Sequence, residues 1–572
     1  MQAPWRSPHV KKRRIQIFLV ASAGLALAAA TAIGNLSAGD NRSSNQFKFA
    51  PDSLVLSRSV YVGDASTVTI GETLPRGCAG GANGSSVVNV PTTSNGTTSV
   101  TVPCGVAVDN GEAPNLSDNH NVWNNSGSDG SFGVSSPIFL DNLSTNGKLF
   151  GSLPIPTNQM VTSFSSKSEL ALNRSIDGRS ITFMGYQGGP GCGGFPVSPT
   201  APNLVDVSAS STPGICDPTN PVISSFVSTP VVPTAYYRAV AEVDANGGLS
   251  ITDGNAYSGD NGRAAIKGGN GQYYMVGNDN SGNLSKKQLS TTPIGIELVN
   301  ATGSETLTPG ATAPAPPNVG MIGRLLFGSD KPGKDTNFRG MTIFNNTLYI
   351  TKGSGGNGIN TVYQVGAPGV LPTGTAADLA QVPITILPGF PNTAASTSTA
   401  FPFGIWFANA TTLYVCDEGD GVLVSPAVNG NVADAQSLAT AGVQKWSLVD
   451  GTWTMLYVLQ DGLNIGVPYS TPNYPASLNP ATGGCRNMTG RSNGDGTVDL
   501  YAITSTISAN GDQGADPNKL VKVKDLLAST TLPVANPGIG RDEQPGHFVI
   551  IRSAQAGEVF RGVAFAPTTG GN

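Results

Sequence analysis

The chain has 572 residues, only 12% of them charged, and a net charge of −5. Nucleic-acid binding needs clustered Lys and Arg to neutralise phosphates, and no basic patch exists, so that class is excluded. Gly (73) and Pro (41) are abundant but stay below the level of about 25–30% that marks low-complexity disorder, so the length allows one large core or two ordinary domains.

Residues 1–32 predict a signal peptide. Lys11, Lys12, Arg13 and Arg14 form a basic flank, Ile15 to Ile33 is a charge-free apolar run, and Ala30-Thr31-Ala32 is a small-x-small cleavage site. An uncleaved signal anchor is the alternative, because the run approaches the roughly 20 residues of a membrane helix. Residues 33–53 are a linker, 54–567 a folded domain and 568–572 a tail. The protein is therefore expected to be secreted, periplasmic or at the cell surface, with no membrane contact after cleavage.

Strings of Ser, Thr, Asn and Gly make turns and polar strand faces rather than helices. Leu54 to Val62, Ile138 to Asn142 and Leu149 to Pro154 are predicted strands, interrupted by a Gly/Asn/Ser-rich insertion at 76–136. One phrase then recurs: ELALNRSIDGRSITFMGY at 169–186, GRAAIKGGNGQYYMVGN at 262–278, FRGMTIFNNTLYITKGS at 338–354, PFGIWFANATTLYVCDEG at 402–419 and CRNMTGRSNGDGTVDLYAITS at 485–505. A truncated copy, FRGVAFAP, stands at 560–567. Each full copy is a short apolar segment, an Asn/Asp/Gly turn and an alternating strand with Tyr or Phe, which is a β-hairpin.

Two further strands follow most copies, as in Val443 to Leu448 with Thr452 to Leu459, and Tyr236 to Val243 with Leu249 to Thr252. Four antiparallel strands per repeat predict an all-β propeller of about six blades. Seven stays open, since 284–336 and 353–400 could hold another. The last copy closes the ring by joining the N-terminal strands. Residues 303–319 are expected to be an extended loop, and Pro517 to Ser529 is either a helix or a strand.

The phrases at 137–154, 163–186, 443–459 and 560–567 resemble those of a family of exported propeller-type proteins without assigned activity. More loosely, the hairpins are similar to NHL-type propeller repeats. The resemblance implies the fold alone, since no catalytic residue comes with it.

Cys78, Cys104, Cys192, Cys216, Cys416 and Cys485 are an even set, expected to be disulfides outside the cytoplasm. Sequential pairing is expected. In a blade the second strand returns to the face where the innermost strand begins, which brings Cys416 to Cys485. Arg263, Arg339, Arg486 and Arg561 open inner strands on that same face, with Asp417 and Glu418 nearby. This channel mouth is the candidate ligand site: Arg would hold carboxylate or sulfate, and the acids a cation or a proton. The competing reading is that these charges tie blades together.

His120 and His547 are the only histidines after the signal, and both are expected at the surface. Asn493, Asp495 and Asp499 resemble part of a calcium loop, but Arg491 and Ala502 occupy positions that need acids, so a hairpin turn is favoured. No cofactor is predicted, with Ca²⁺ alone left open. The 13 N-x-Ser/Thr sequons do not decide the source. The leading expectation is an extracellular or periplasmic binding module for carbohydrate, polymer or protein. A channel-mouth hydrolase or lactonase and a structural surface protein are the alternatives.

Overall fold

The computed structural model describes residues 47–570 apart from 61–72, 75–84, 92–96, 104, 108–124, 127–132, 158, 165, 188–206, 209–237, 255–261, 278–295, 301–317, 322–323, 326–336, 354–358, 380, 394–399, 422–438, 475, 477–478, 509–513 and 515. The expected signal, His120, Cys78, Cys104, Cys192 and Cys216 lie outside these residues. Among the described residues no helix is long and apolar enough to cross a membrane.

The hairpins form where the repeat predicts them. Phe338–Phe344 pairs antiparallel with Thr347–Lys352 across Asn345-Asn346. Both asparagines have positive φ, 46° and 55°, as a two-residue turn matched to strand twist requires. Asp450-Gly451 makes the same kind of turn between Gly442–Val449 and Thr452–Leu459. Asn493 to Gly496 forms the turn between Ala481–Ser492 and Thr497–Ile507, and Asp495 accepts hydrogen bonds from Thr497 N (3.0 Å) and Oγ1 (2.6 Å).

Sheet I has the order Glu558–Phe565, Leu54–Val60, Ile138–Leu143, Leu149–Pro154, so strands from both ends of the described chain share one sheet. Sheet II runs Asn173–Arg174, Ser180–Gln187, Arg238–Asp244, Leu249–Gly254, and also takes in Met160–Ser163, Gly133–Ser136 and Val207–Ser208. Sheet III is Gly262–Lys267, Gln272–Gly277, Ile296–Asn300, Asn318–Met321. The end of the expected loop at 303–319 therefore falls in a strand. Sheet IV is Phe338–Phe344, Thr347–Lys352, Thr361–Val365, Pro383–Ile386, with Arg324–Leu325 parallel at its edge. Sheet V is Pro402–Asn409, Thr412–Asp417, Gly442–Val449, Thr452–Leu459. Sheet VI is Ala481–Ser492, Thr497–Ile507, Lys519–Leu526, Phe548–Ser553. Lys519–Leu526 settles the ambiguous segment as a strand.

The architecture is an all-β propeller, and five blades are recognised in it. The first strands of the sheets touch in a closed cycle, I to II to III to IV to V to VI and back to I. Apolar side chains fill the wedges between sheets. Between IV and V, Phe344 stacks on Phe407 with ring centroids 4.8 Å apart, and Phe390 on Trp446 at 3.9 Å.

The narrow centre sets the sequence of the first strands. A methyl group on Gly340 would overlap the carbonyl oxygen of Phe403 in the next sheet. On Gly404 it would lie 2.5 Å from Arg486 O, and on Gly562 2.5 Å from Leu170 O. Ala264 and Asn487 take the same repeat position, and Asn487 Oδ1 accepts from Val563 N at 2.6 Å. The missing side chain at Gly340, Gly404 and Gly562 is thus a consequence of backbone meeting backbone.

Polar contacts stitch each seam. Ser57 Oγ donates to Leu170 O (2.8 Å), Thr182 Oγ1 to Ala265 O (2.7 Å) and Thr351 Oγ1 to Phe403 O (2.6 Å). Arg263 Nη1 donates to Phe338 O (2.6 Å), and Asn518 pairs with both Phe560 N and O (2.8 Å each). At the V–VI seam, Cys416 takes the repeat position of Thr351 and forms the expected disulfide with Cys485, Cα–Cα 5.2 Å.

Gly340→Ala is expected to lower stability by about 1–3 kcal/mol or more through overpacking. Gly269→Ala, where an added methyl meets nothing within 4 Å, serves as the control. Chemical denaturation midpoints compare the two, and equal midpoints would contradict the wedge.

Candidate functional site

Arg263, Arg339, Arg486 and Arg561 each lie one residue into, or at the repeat-equivalent point of, a first strand, and so share one rim of the channel. All four are buried, between 2% and 7% exposed. Their donors turn to neighbouring sheets and loops. Arg263 binds Ser168 Oγ (2.9 Å), Asn337 Oδ1 and Phe338 O. Arg339 Nε donates to Gly353 O, and its guanidinium lies 5.8 Å from the Phe403 ring centroid. Arg561 donates to Phe164 O. Arg486 Nε pairs with Glu418 Oε2 at 2.9 Å, across the V–VI seam.

Of the two expected acids, Glu418 therefore meets an arginine. The adjacent Asp417 turns away, accepting from Phe401 N (2.8 Å), Gly419 N (2.9 Å) and Gln444 Nε2 (2.9 Å). Burial raises its pKa to about 7, against the hydrogen bonds from Phe401 and Gly419 that favour the anion.

Sequence reasoning missed Lys352. It pairs in register with Phe338 as Asp417 does with Pro402, so it holds the same position one sheet earlier. Burial lowers its pKa to about 7. Aligning the repeats position by position would have found it, since TLYITK and TLYVCD differ at that end.

The opposite end of the channel is different. There the first strands finish in tight turns and leave a cavity of about 300 Å³ lined from all six sheets. Asn173, Ser175, Thr342, Asn346 and Thr489 contribute amides and hydroxyls, and Trp406 and Phe565 contribute rings. Arg174 is its cation, with Nε and Nη2 donating to Gly178 O at 3.2 and 3.1 Å. The sequence reading placed no site here, because turn residues in a repeat look like turn residues only.

No family model matches the chain, and no curated protein does. Among solved structures it is similar to a glucose dehydrogenase, at 13% identity and TM-score 0.32, over 68% of this chain and 92% of that one. A functionally unknown protein from Desulfotomaculum acetoxidans DSM 771 matches at 12% identity and TM-score 0.23, over 72% of this chain and 95% of that one. Apo prolyl oligopeptidase B from Galerina marginata matches at 8% identity and TM-score 0.23, over 86% of this chain and 62% of that one. At these scores no chemistry transfers. The class is a β-propeller, defined by its own sheets.

Two outcomes follow for the arginine rim. Glu418→Gln, which removes the carboxylate that Arg486 Nε meets across the seam, is expected to cost about 3–5 kcal/mol. The double variant E418Q/R486M should recover part of that loss in denaturation; no recovery would mean the pair is not what joins the seam. Stability should also depend on pH around neutrality. Asp417, raised from 3.8 to about 7, makes the folded chain bind more protons between those values, so stability falls as pH rises through them. Lys352, lowered from 10.5 to about 7, makes the unfolded chain bind more protons above 7, so stability rises again from there. Lys352→Met should flatten the rise, read from melting temperatures between pH 6 and pH 10.

Proposed function

We propose that this chain is an exported, six-bladed propeller that binds carbohydrate at the turn-side mouth of its channel. The cavity of about 300 Å³ to which all six sheets contribute carries this reading. Its lining sets amides, hydroxyls and ring faces among aliphatic side chains such as Ile266, Ile343 and Ile405, with one cation whose guanidinium is already bonded within its own hairpin. Neutral sugars present hydroxyl pairs and apolar C–H faces, which amides and rings complement. The blade number is supported by the closed cycle of first strands, with sheet II as a blade inside a larger sheet. Export is supported by the basic–apolar–A-x-A leader and by the disulfide. The arginine rim serves to join the sheets, as its internal pairing indicates.

Trp406 supplies the assay. Titration with a panel of soluble oligosaccharides is expected to change tryptophan fluorescence, and Trp406→Phe should remove that change. Thr489→Val, which keeps the shape and loses a hydroxyl, should weaken binding by roughly 3–10-fold, in line with about 1 kcal/mol for one hydrogen bond. A flat titration across the panel, or one untouched by both variants, would overturn the reading.

A further inference from the structure

A second cavity, of about 570 Å³, lies between the outer strands of sheets V and VI. Asp461 follows Thr452–Leu459, and His547 precedes Phe548–Ser553. The two segments are fastened by Phe548 N donating to Asp461 O at 2.7 Å. Next to that bond, His547 Nδ1 and Asp461 Oδ2 are 2.6 Å apart. A carboxylate can only accept, so Nδ1 carries a proton, and in the neutral imidazole Nε2 holds the lone pair. Nε2 has no hydrogen-bond partner among the described residues. The imidazole is 8% exposed and lines the cavity, so its orientation is fixed by packing as well as by the carboxylate.

The walls are built rather than loose. Gln544 Oε1 accepts from Asn536 N at 2.6 Å, and its Nε2 donates to Ile539 O at 2.9 Å, which ties down the segment before His547. Leu532, Pro533, Pro537 and Ile539 make one side apolar. Arg541 brings a largely exposed guanidinium to the cavity, 3.6 Å from Asp461 Oδ1. Among the described lining residues there is no Ser, Thr or Cys, so no hydroxyl or thiol nucleophile is supplied here.

An oriented base with a free lone pair, a nearby cation and an apolar wall form the set that hydrolysis of a carboxylic ester requires. We infer that this cavity is a second functional site, in which His547 acts as general base on water attacking a small ester or lactone with an apolar acyl part. The water oxygen forms a bond to the carbonyl carbon while its proton passes to His547 Nε2. Arg541 faces the resulting oxyanion. The tetrahedral carbon then expels the alkoxide, which takes the proton back from the imidazolium, leaving acid and alcohol. Asp461 is a positioning residue that stabilises the transient imidazolium.

The test is hydrolysis of p-nitrophenyl acetate, p-nitrophenyl butyrate and γ-butyrolactone by the full chain. Turnover above buffer is expected, faster for butyrate than for acetate because of the apolar wall. His547→Gln should lower kcat/KM about a hundredfold or more. It should leave oligosaccharide binding at the channel mouth unchanged, which separates failure of this site from failure of the other. Asp461→Asn changes a largely exposed side chain, so folding survives; it should lower kcat about tenfold or more and move the acidic limb of the pH–rate profile. Arg541→Gln should lower kcat with little change in KM. No turnover above buffer, or undiminished turnover in H547Q or D461N, overturns the proposal.

Discussion

The close approach of the first strands around one axis is the constraint from which the remaining structure follows. At Gly340, Gly404 and Gly562 the backbone of one sheet lies against the backbone of the next, leaving no room for a side chain. Bulk is therefore displaced outward, into wedges that Phe344, Phe407, Phe390 and Trp446 fill. It is also displaced upward, to the preceding position, where four arginines can turn aside and reach a neighbouring sheet or loop. Carbonyls left at the crowded centre are met by hydroxyls from second strands, as Ser57, Thr182 and Thr351 show. A buried backbone acceptor without such a partner is costly, so the seams are polar where the wedges are apolar.

The two rims consequently differ in kind. One is made where first strands begin and second strands end. Its arginines are bonded internally, Arg486 to Glu418 and the others to hydroxyl, amide or carbonyl oxygens, and the connections that follow Val60, Gln187, Gly277 and Asp417 leave from it. At the other, the first hairpins turn in short loops such as Asn345-Asn346 and enclose a cavity. A tight turn fixes Asn345 and Asn346, strand pairing fixes Thr489, and a lining held that firmly loses little entropy when a ligand is bound.

Much of this architecture was legible in the sequence. The repeated phrase located the first hairpin of five sheets, FRGVAFAP located the strand that completes sheet I, and the strand geometry brought Cys416 to Cys485. The four arginines fall at matching points of first strands, but charge alone did not say which acid would pair. Glu418 reaches Arg486 because its side chain crosses the seam, whereas Asp417 is caught by amides of its own sheet. Lys352 went unnoticed because a lysine at a strand end looks solvated until packing encloses it. His547, taken for a surface residue, is held in a cavity wall by a partner 86 residues earlier, a relation that local pattern cannot carry. Spacing within a repeat predicts strands; contacts between repeats depend on side-chain length and angle, which spacing does not encode.

The shared origin of sheet I bears on how the chain reaches this state. Ser57 Oγ lies 3.5 Å from Gly562 O, a contact spanning 505 residues. During synthesis, Leu54–Val60 is made early and its partner Glu558–Phe565 last, so one edge of the first sheet stays unpaired while the other sheets form. An unpaired edge is a template for wrong partners, and closure across so long a separation is slow. The ring is thus complete only when its last strand arrives. The disulfide between V and VI ties residues 69 apart, whereas the joint that closes the ring is the backbone pairing of Leu54–Val60 with Glu558–Phe565 inside sheet I.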